Sequence, residues 1–151
     1  MKGKPRSKEG ISMSTSYSPK YSAVSEFVPV APDEAIRHFE GKLKLEVDPA
    51  DVHYDNGKGV STFVVIDTRS EDDYRREHIP GAISLPHRKM DAQTTKDLPR
   101  DRIVVTYCWG TACNASTKGA LQLARLGFQV KEMIGGIEGW KSDGYSTVLG
   151  S

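Results

Sequence analysis

Along the chain the spacing of apolar positions changes character twice. Ala35, Ile36, Phe39 and Leu43 recur three and four apart, which predicts a helix opened by Pro32-Asp33-Glu34 and weakened at Gly41. Residues 25–31 before it are apolar enough to lie on the body of the protein. Residues 42–47 alternate, so that segment is ambiguous between helix and strand. Asp48-Pro49 then places a capping carboxylate before a proline, the start of a short helix that Asn56-Gly57 ends. From Ser61 onward the pattern becomes regular. Residues 63–66, 102–107 and 130–134 read as buried strands, and residues 82–85 as a shorter one. Between the last two long runs, residues 115–126 carry Ala120, Leu123 and Ala124 on one face, with Gly127 as the stop. Short buried strands alternating with amphipathic helices predict an α/β fold built on a parallel sheet with crossover helices.

The length of 151 residues suits one domain with a sizeable core. Charge divides it unevenly. Residues 1–20 hold Lys2, Lys4, Arg6, Lys8 and Lys20 against Glu9, whereas the other 131 residues hold 16 basic and 19 acidic groups. The first 20 residues read as a disordered basic tail and residues 21–151 as the single folded domain. A mildly acidic body argues against nucleic acid as a partner. With neither a membrane-length apolar run nor a secretory leader, the expectation is a cytoplasmic protein with no membrane partner.

Both cysteines fall within VVTYCWGTACN, residues 104–114. Cys108 directly follows a predicted strand, and a helix begins by Ser116 or Thr117. In an open parallel sheet this is where ligand sites gather, and the helix aims unpaired N–H groups and its positive dipole end into the loop. A thiol there is expected to ionise below its ordinary pKa of about 8.5. Gly110 allows close backbone approach, and successive N–H groups can form an anion nest. These features nominate Cys108 as a reactive nucleophile. Two cysteines with four other residues between them cannot complete a zinc site alone. His38, His53, His78 and His87 lack paired-ligand spacing, so no metal and no cofactor is expected.

The stretch VIDTRSEDDYRREHIPGAISL, residues 65–85, adds Asp67, Arg69, Ser70, Asp72, Asp73, Tyr74 and the HIPGA turn at residues 78–82. Together with VVTYC, the helix ending Leu126-Gly127-Phe128, and GGIEGW at residues 135–140, it closely resembles the rhodanese family of sulfurtransferases. The resemblance implies a rhodanese-like small parallel β-sheet flanked by helices on both faces. It also implies a two-step reaction, in which Cys108 takes a sulfane sulfur from a donor such as thiosulfate and passes the persulfide sulfur to a thiol or cyanide acceptor. The partners are then a small-molecule sulfur donor and a thiol acceptor, with a protein acceptor also open. Trp109, Gly110, Thr111, Ala112, Cys113 and Asn114 become the substrate-binding loop. Arg88, after the strand at residues 82–85, is the candidate anion contact because a fixed guanidinium suits an oxyanion. Asp67 and Arg69 are supporting residues that pin loops by charge-assisted hydrogen bonds. His78 is assigned to the turn, and Tyr74 and Trp140 to packing.

The loop departs from the usual family pattern. It is two residues longer, its glycine stands two positions after the cysteine instead of three, and Ala115 occupies a position often held by arginine. Cys-dependent phosphatases of this fold grip phosphate with an arginine six positions after the cysteine; here that residue is Asn114, and no arginine occurs from Cys108 through Ala124. A non-catalytic interaction or redox-sensor module is the other alternative, against which the retained Cys108 speaks. Cys113 has two readings: it attacks an oxidised or persulfidated Cys108, or it packs at the base of the loop.

Overall fold

The computed structural model describes residues 20–60 and 62–151; the tail at residues 1–20 lies outside them apart from Lys20. The chain divides into two units at Arg37 and His38. In the first, a turn carries a bond from the Ser25 N–H to Ser22 O at 3.1 Å, and the Tyr21 hydroxyl donates to Glu26 at 3.0 Å. Its Val24, Phe27, Val28 and Val30 are exposed. Helix α1, Pro32–Leu45, starts at the predicted proline and carries through the ambiguous segment as far as Leu45. Its predicted apolar stripe is solvent-facing: Ile36, Phe39 and Leu43 are each more than half exposed.

In the second unit, β1 (Glu46–Val47) leads into α2 (Pro49–Gly57). Asp48 caps α2 by accepting the Asp51 N–H at 2.9 Å, so the local code read at Asp48-Pro49 operates as written. There follow β2 (Phe63–Asp67), α3 (Glu71–Arg76), β3 (Ile83–Ser84), a 3-10 turn (His87–Lys89), β4 (Ile103–Tyr107), α4 (Ala115–Arg125), β5 (Val130–Met133) and α5 (Gly136–Ser142). The five strands form one parallel sheet in the order β1-β5-β4-β2-β3.

Alternate residues of the central strands feed two cores, one on each face. Val65, Val105 and Tyr107 pack with Val52 of α2 and with Ile137 and Trp140 of α5. Ile66 and Val104 pack with Leu85, Met90, Leu123 of α4 and Phe128. Burial on both faces is why these strands read as continuous apolar runs instead of alternating ones. The face of α4 differs from expectation: Ser116, Gly119 and Leu123 are buried, whereas Ala124 is exposed. The small residues win there because α4 lies close to Thr68 and Met90, atoms that a side chain at Gly119 would meet. The register pairs Asp67 with Tyr107, so the loops leaving β2 and β4 emerge side by side at one edge of the sheet.

Candidate active site

Cys108 follows β4 directly and is 1% exposed. The loop from Cys108 to Asn114 is held from three sides. Thr68, leaving β2, donates its N–H and its hydroxyl to Tyr107 O at 3.0 and 2.8 Å. The first turn of α5 donates from the Ile137 and Glu138 N–H groups to Cys108 O and Trp109 O, each at 2.9 Å. Within the loop, the Cys113 N–H closes a turn onto Gly110 O at 3.1 Å. Two glycines make this approach possible. A side chain at Gly110 would meet the Glu138 carboxylate, and one at Gly136 (φ +60°) would stand 2.5 Å from Cys108 O. The Gly-Gly of GGIEGW is thus the surface against which the cysteine loop rests.

The two thiols are neighbours. Cys108 Sγ donates to Cys113 O at 3.3 Å, and both cysteines are free. Asn114 occupies the cap position of α4 without a side-chain bond to the helix, which leaves the first-turn N–H groups for the sulfurs. The expectation of a depressed pKa at Cys108 is reversed. Burial, followed by the adjacent Cys113, pushes the Cys108 thiol above the ordinary range, and the Ser116 N–H offsets only part of this. Cys113 is held below it: partial burial works in the other direction, but the Cys108 thiol, the Ala115 and Trp109 N–H groups and Lys118 together favour its thiolate. Of the two thiols, Cys113 is the one whose thiolate the start of the helix favours.

Two cavities meet at this loop. The smaller, of about 250 Å³, is lined by Cys108, Gly110, Thr111, Cys113 and Asn114, with Ser116, Thr117 and Glu132 opposite. The larger, of about 500 Å³, is lined by Trp109, Cys113, Arg69, His87, Arg88 and Lys89, with acidic residues of α3 at its far side. Arg88 shares the larger cavity with Cys113 and Trp109, while Cys108 lines only the smaller one and Ala112 is exposed and lines neither. Lowering of the His87 pKa follows from burial and from the charges of Arg88 and Lys118. Trp109 lies over the Arg69 guanidinium at 4.5 Å.

Asp67 and Arg69 are buried as a bidentate pair, with Arg69 Nη2 2.7 Å and Nε 3.0 Å from the carboxylate oxygens. The Tyr107 hydroxyl donates to Asp67 at 2.5 Å and accepts the Ile79 N–H at 3.1 Å, and Arg69 also donates to Glu77 O at 2.6 Å. Burial first, then the Asp67 charge, pushes the Tyr107 hydroxyl far above its ordinary pKa. His78 bonds through Nδ1 to Tyr74 O at 2.8 Å and stacks on the Tyr74 ring. Trp140 is buried, its indole donating to Ser146 O at 2.9 Å.

Sequence reasoning missed Glu132. From β5 it accepts the Ser116 and Thr117 hydroxyls, each at 2.6 Å, at the start of α4. The Ser116 hydroxyl thus lies between Glu132, to which it donates, and the Cys108 thiol, whose ionisation it favours. The available signal was an acidic residue within a predicted strand of a parallel sheet. Glu138 beside Gly110 was missed as well. Among the described residues, no group of three or more His, Cys, Asp or Glu side chains converges to hold a metal ion, and no helix is long and apolar enough to cross a membrane.

Comparison with known proteins gives the same arrangement a lineage. Over 80 residues the chain is 34% identical to the thiosulfate sulfurtransferase GlpE of Coxiella burnetii, covering 52% of this chain and 72% of that one. It is 35% identical over 81 residues to the HTH-type transcriptional regulator Rv0324 of Mycobacterium tuberculosis, covering 53% of this chain but only 35% of the regulator. Among solved structures, the BH2092 protein of Bacillus halodurans superposes with a TM-score of 0.77 at 45% identity, over 79% of this chain and 87% of that one. Residues 48–143 match the Rhodanese-like domain, and the chain belongs to that family.

Proposed function

We propose that the protein is a sulfurtransferase in which Cys108 attacks the outer sulfur of a sulfane donor such as thiosulfate, releases sulfite and carries the sulfur as a persulfide. The observation that carries this reading is the placement of a thiol at the carboxyl end of a parallel strand, against N–H groups at the start of α4, with a cavity lined by Arg88 and Lys89 beside the same loop. Kinship with a thiosulfate sulfurtransferase supports the donor class. Arg88 and Lys89 offer positive charge to an entering dianion, Trp109 forms a wall, and Asp67 with Arg69 keeps the strand ends in register. The acceptor is a thiol or cyanide.

The test is mass spectrometry of the purified protein after exposure to thiosulfate. Sulfur is expected to be taken up through Cys108, and Cys108→Ser should lower thiosulfate-to-cyanide transfer by at least about a thousandfold while leaving the fold intact, since the transferred sulfur is carried covalently on that thiol. A Cys108→Ser variant that retains most of the transfer refutes the assignment.

A further inference from the structure

From the contact of the Cys108 thiol with Cys113 we infer that Cys113 is a second catalytic residue, which displaces the sulfur carried by Cys108 as hydrosulfide and makes the protein a sulfane-sulfur reductase fed by an external dithiol. The inference rests on the sulfur-transfer reading and adds a product and a co-substrate to it.

Three features carry it. The turn from Gly110 to Cys113 curls the loop so that Cys113 lies back over Cys108, whose Sγ donates to Cys113 O at 3.3 Å. The two residues are already in contact through the Cys113 backbone, and an attacking group held next to its target gains a large effective concentration over one arriving from solution. Access favours the neighbour as well. Cys108 is 1% exposed and lines only the smaller cavity, whereas Cys113 lines both cavities and opens to solvent through the larger one. Finally, the backbone donors of Ala115 and Trp109 and the charge of Lys118 favour the Cys113 thiolate, the form needed for attack.

The chemistry balances. Cys108 thiolate and thiosulfate yield the Cys108 persulfide and sulfite. The Cys113 thiolate then attacks Cys108 Sγ, and a new Sγ–Sγ bond forms as the bond to the outer sulfur breaks. The electron pair leaves with that sulfur, which departs as hydrosulfide and retains the persulfide proton. The sulfane sulfur is thereby reduced by two electrons, and the two cysteines are oxidised to a disulfide. A small dithiol or a dithiol protein, entering through the larger cavity, attacks the Cys113 side of the bond, leaves as its own disulfide and restores both thiols.

The experiment uses the full chain, reduced, stripped of reductant and kept anaerobic, with thiosulfate as donor. Wild-type protein should release about one equivalent of sulfide and stop as a Cys108–Cys113 disulfide located by peptide mapping; dithiothreitol should restart it. Cys113→Ser should stop at the Cys108 persulfide, with sulfide release at least about a hundredfold slower until a thiol is added. Wild-type protein that holds a stable persulfide, and yields sulfide only with added thiol at the rate of Cys113→Ser, overturns the inference and leaves the sulfur-transfer reading standing. If neither protein takes sulfur from thiosulfate, the sulfur-transfer reading fails, and the inference with it.

Discussion

Asp67 and Cys108 stand at nearly the same height on adjacent strands, at the carboxyl ends of β2 and β4, and the fold uses them in opposite ways. At the end of β2 the charge is closed off. Asp67 accepts from the Arg69 side chain, the Arg69 backbone and Tyr107, and Arg69 Nη2 also donates to Glu77 O. At the end of β4 the polar groups are left available. The helix behind Cys108 lacks a side-chain cap, Cys113 faces two cavities, and the nearest carboxylate, Glu132, is occupied with hydroxyls of α4. A buried ion pair is costly to desolvate and strongly destabilising to break, so it suits a fixed strut. A thiol beside free N–H groups can change charge and bonding partner, which chemistry requires.

The largest effect expected from disturbing this contrast comes at the strut. Asp67→Ala strands the Arg69 guanidinium in the interior and removes the acceptor of Tyr107. It should destabilise the fold by about 3–5 kcal/mol, a fall in Tm of roughly 10–20 °C, measurable by calorimetry or denaturant unfolding. A loss below about 1 kcal/mol would mean that water or another acceptor replaces the carboxylate, and the contrast between strut and reactive loop would collapse.

How much of this contrast was legible in the sequence depended on how local its causes are. The cap at Asp48, the breaks at Gly57 and Gly127 and the apolar strands at residues 63–67 and 103–107 are set by neighbours in the chain, and they appear where the pattern put them. The stripe of α1 failed because periodicity states which face is apolar without stating what covers it. At the site, strand-to-helix spacing placed Cys108 and Arg88. The acidity of the thiols was misassigned because it depends on how the loop curls, which buries one sulfur and gives the other the N–H groups of Ala115 and Trp109. Glu132 was missed for the same reason. Its partners Ser116 and Thr117 lie about a helix length away in sequence and meet it only once α4 crosses back over the sheet.

A smaller effect is expected on the open side. Arg88 is exposed on the 3-10 turn and lines the cavity that Cys113 enters. Arg88→Ala should raise KM for thiosulfate about five- to tenfold with little change in kcat, as expected when an interaction with the bound anion is lost equally from ground and transition states. Raising ionic strength should narrow the gap between wild type and variant, because the attraction acts in a solvent-exposed cavity. An unchanged KM at low salt would move the anion contact to Lys89 or to the backbone of the loop.

The smallest and sharpest comparison lies within the loop, between its two sulfurs. Alkylation by iodoacetamide follows the thiolate, so the rate at each cysteine plotted against pH reports its ionisation. Cys113 should react with a midpoint below the ordinary thiol value of about 8.5, and Cys108 with a midpoint above it. The sign follows from the neighbours. As pH rises Cys113 ionises first, helped by the Cys108 thiol, by the N–H groups of Ala115 and Trp109 and by Lys118; Cys108 must then lose its proton while buried and beside a negative charge. Substituting either partner separates these causes. Cys113→Ala removes the adjacent charge and should lower the Cys108 midpoint, whereas Cys108→Ala removes a hydrogen-bond donor and should raise that of Cys113. If Cys108 is modified first at low pH in the wild type, the loop stabilises its anion on the buried sulfur, and Cys113 loses its standing as the readier nucleophile.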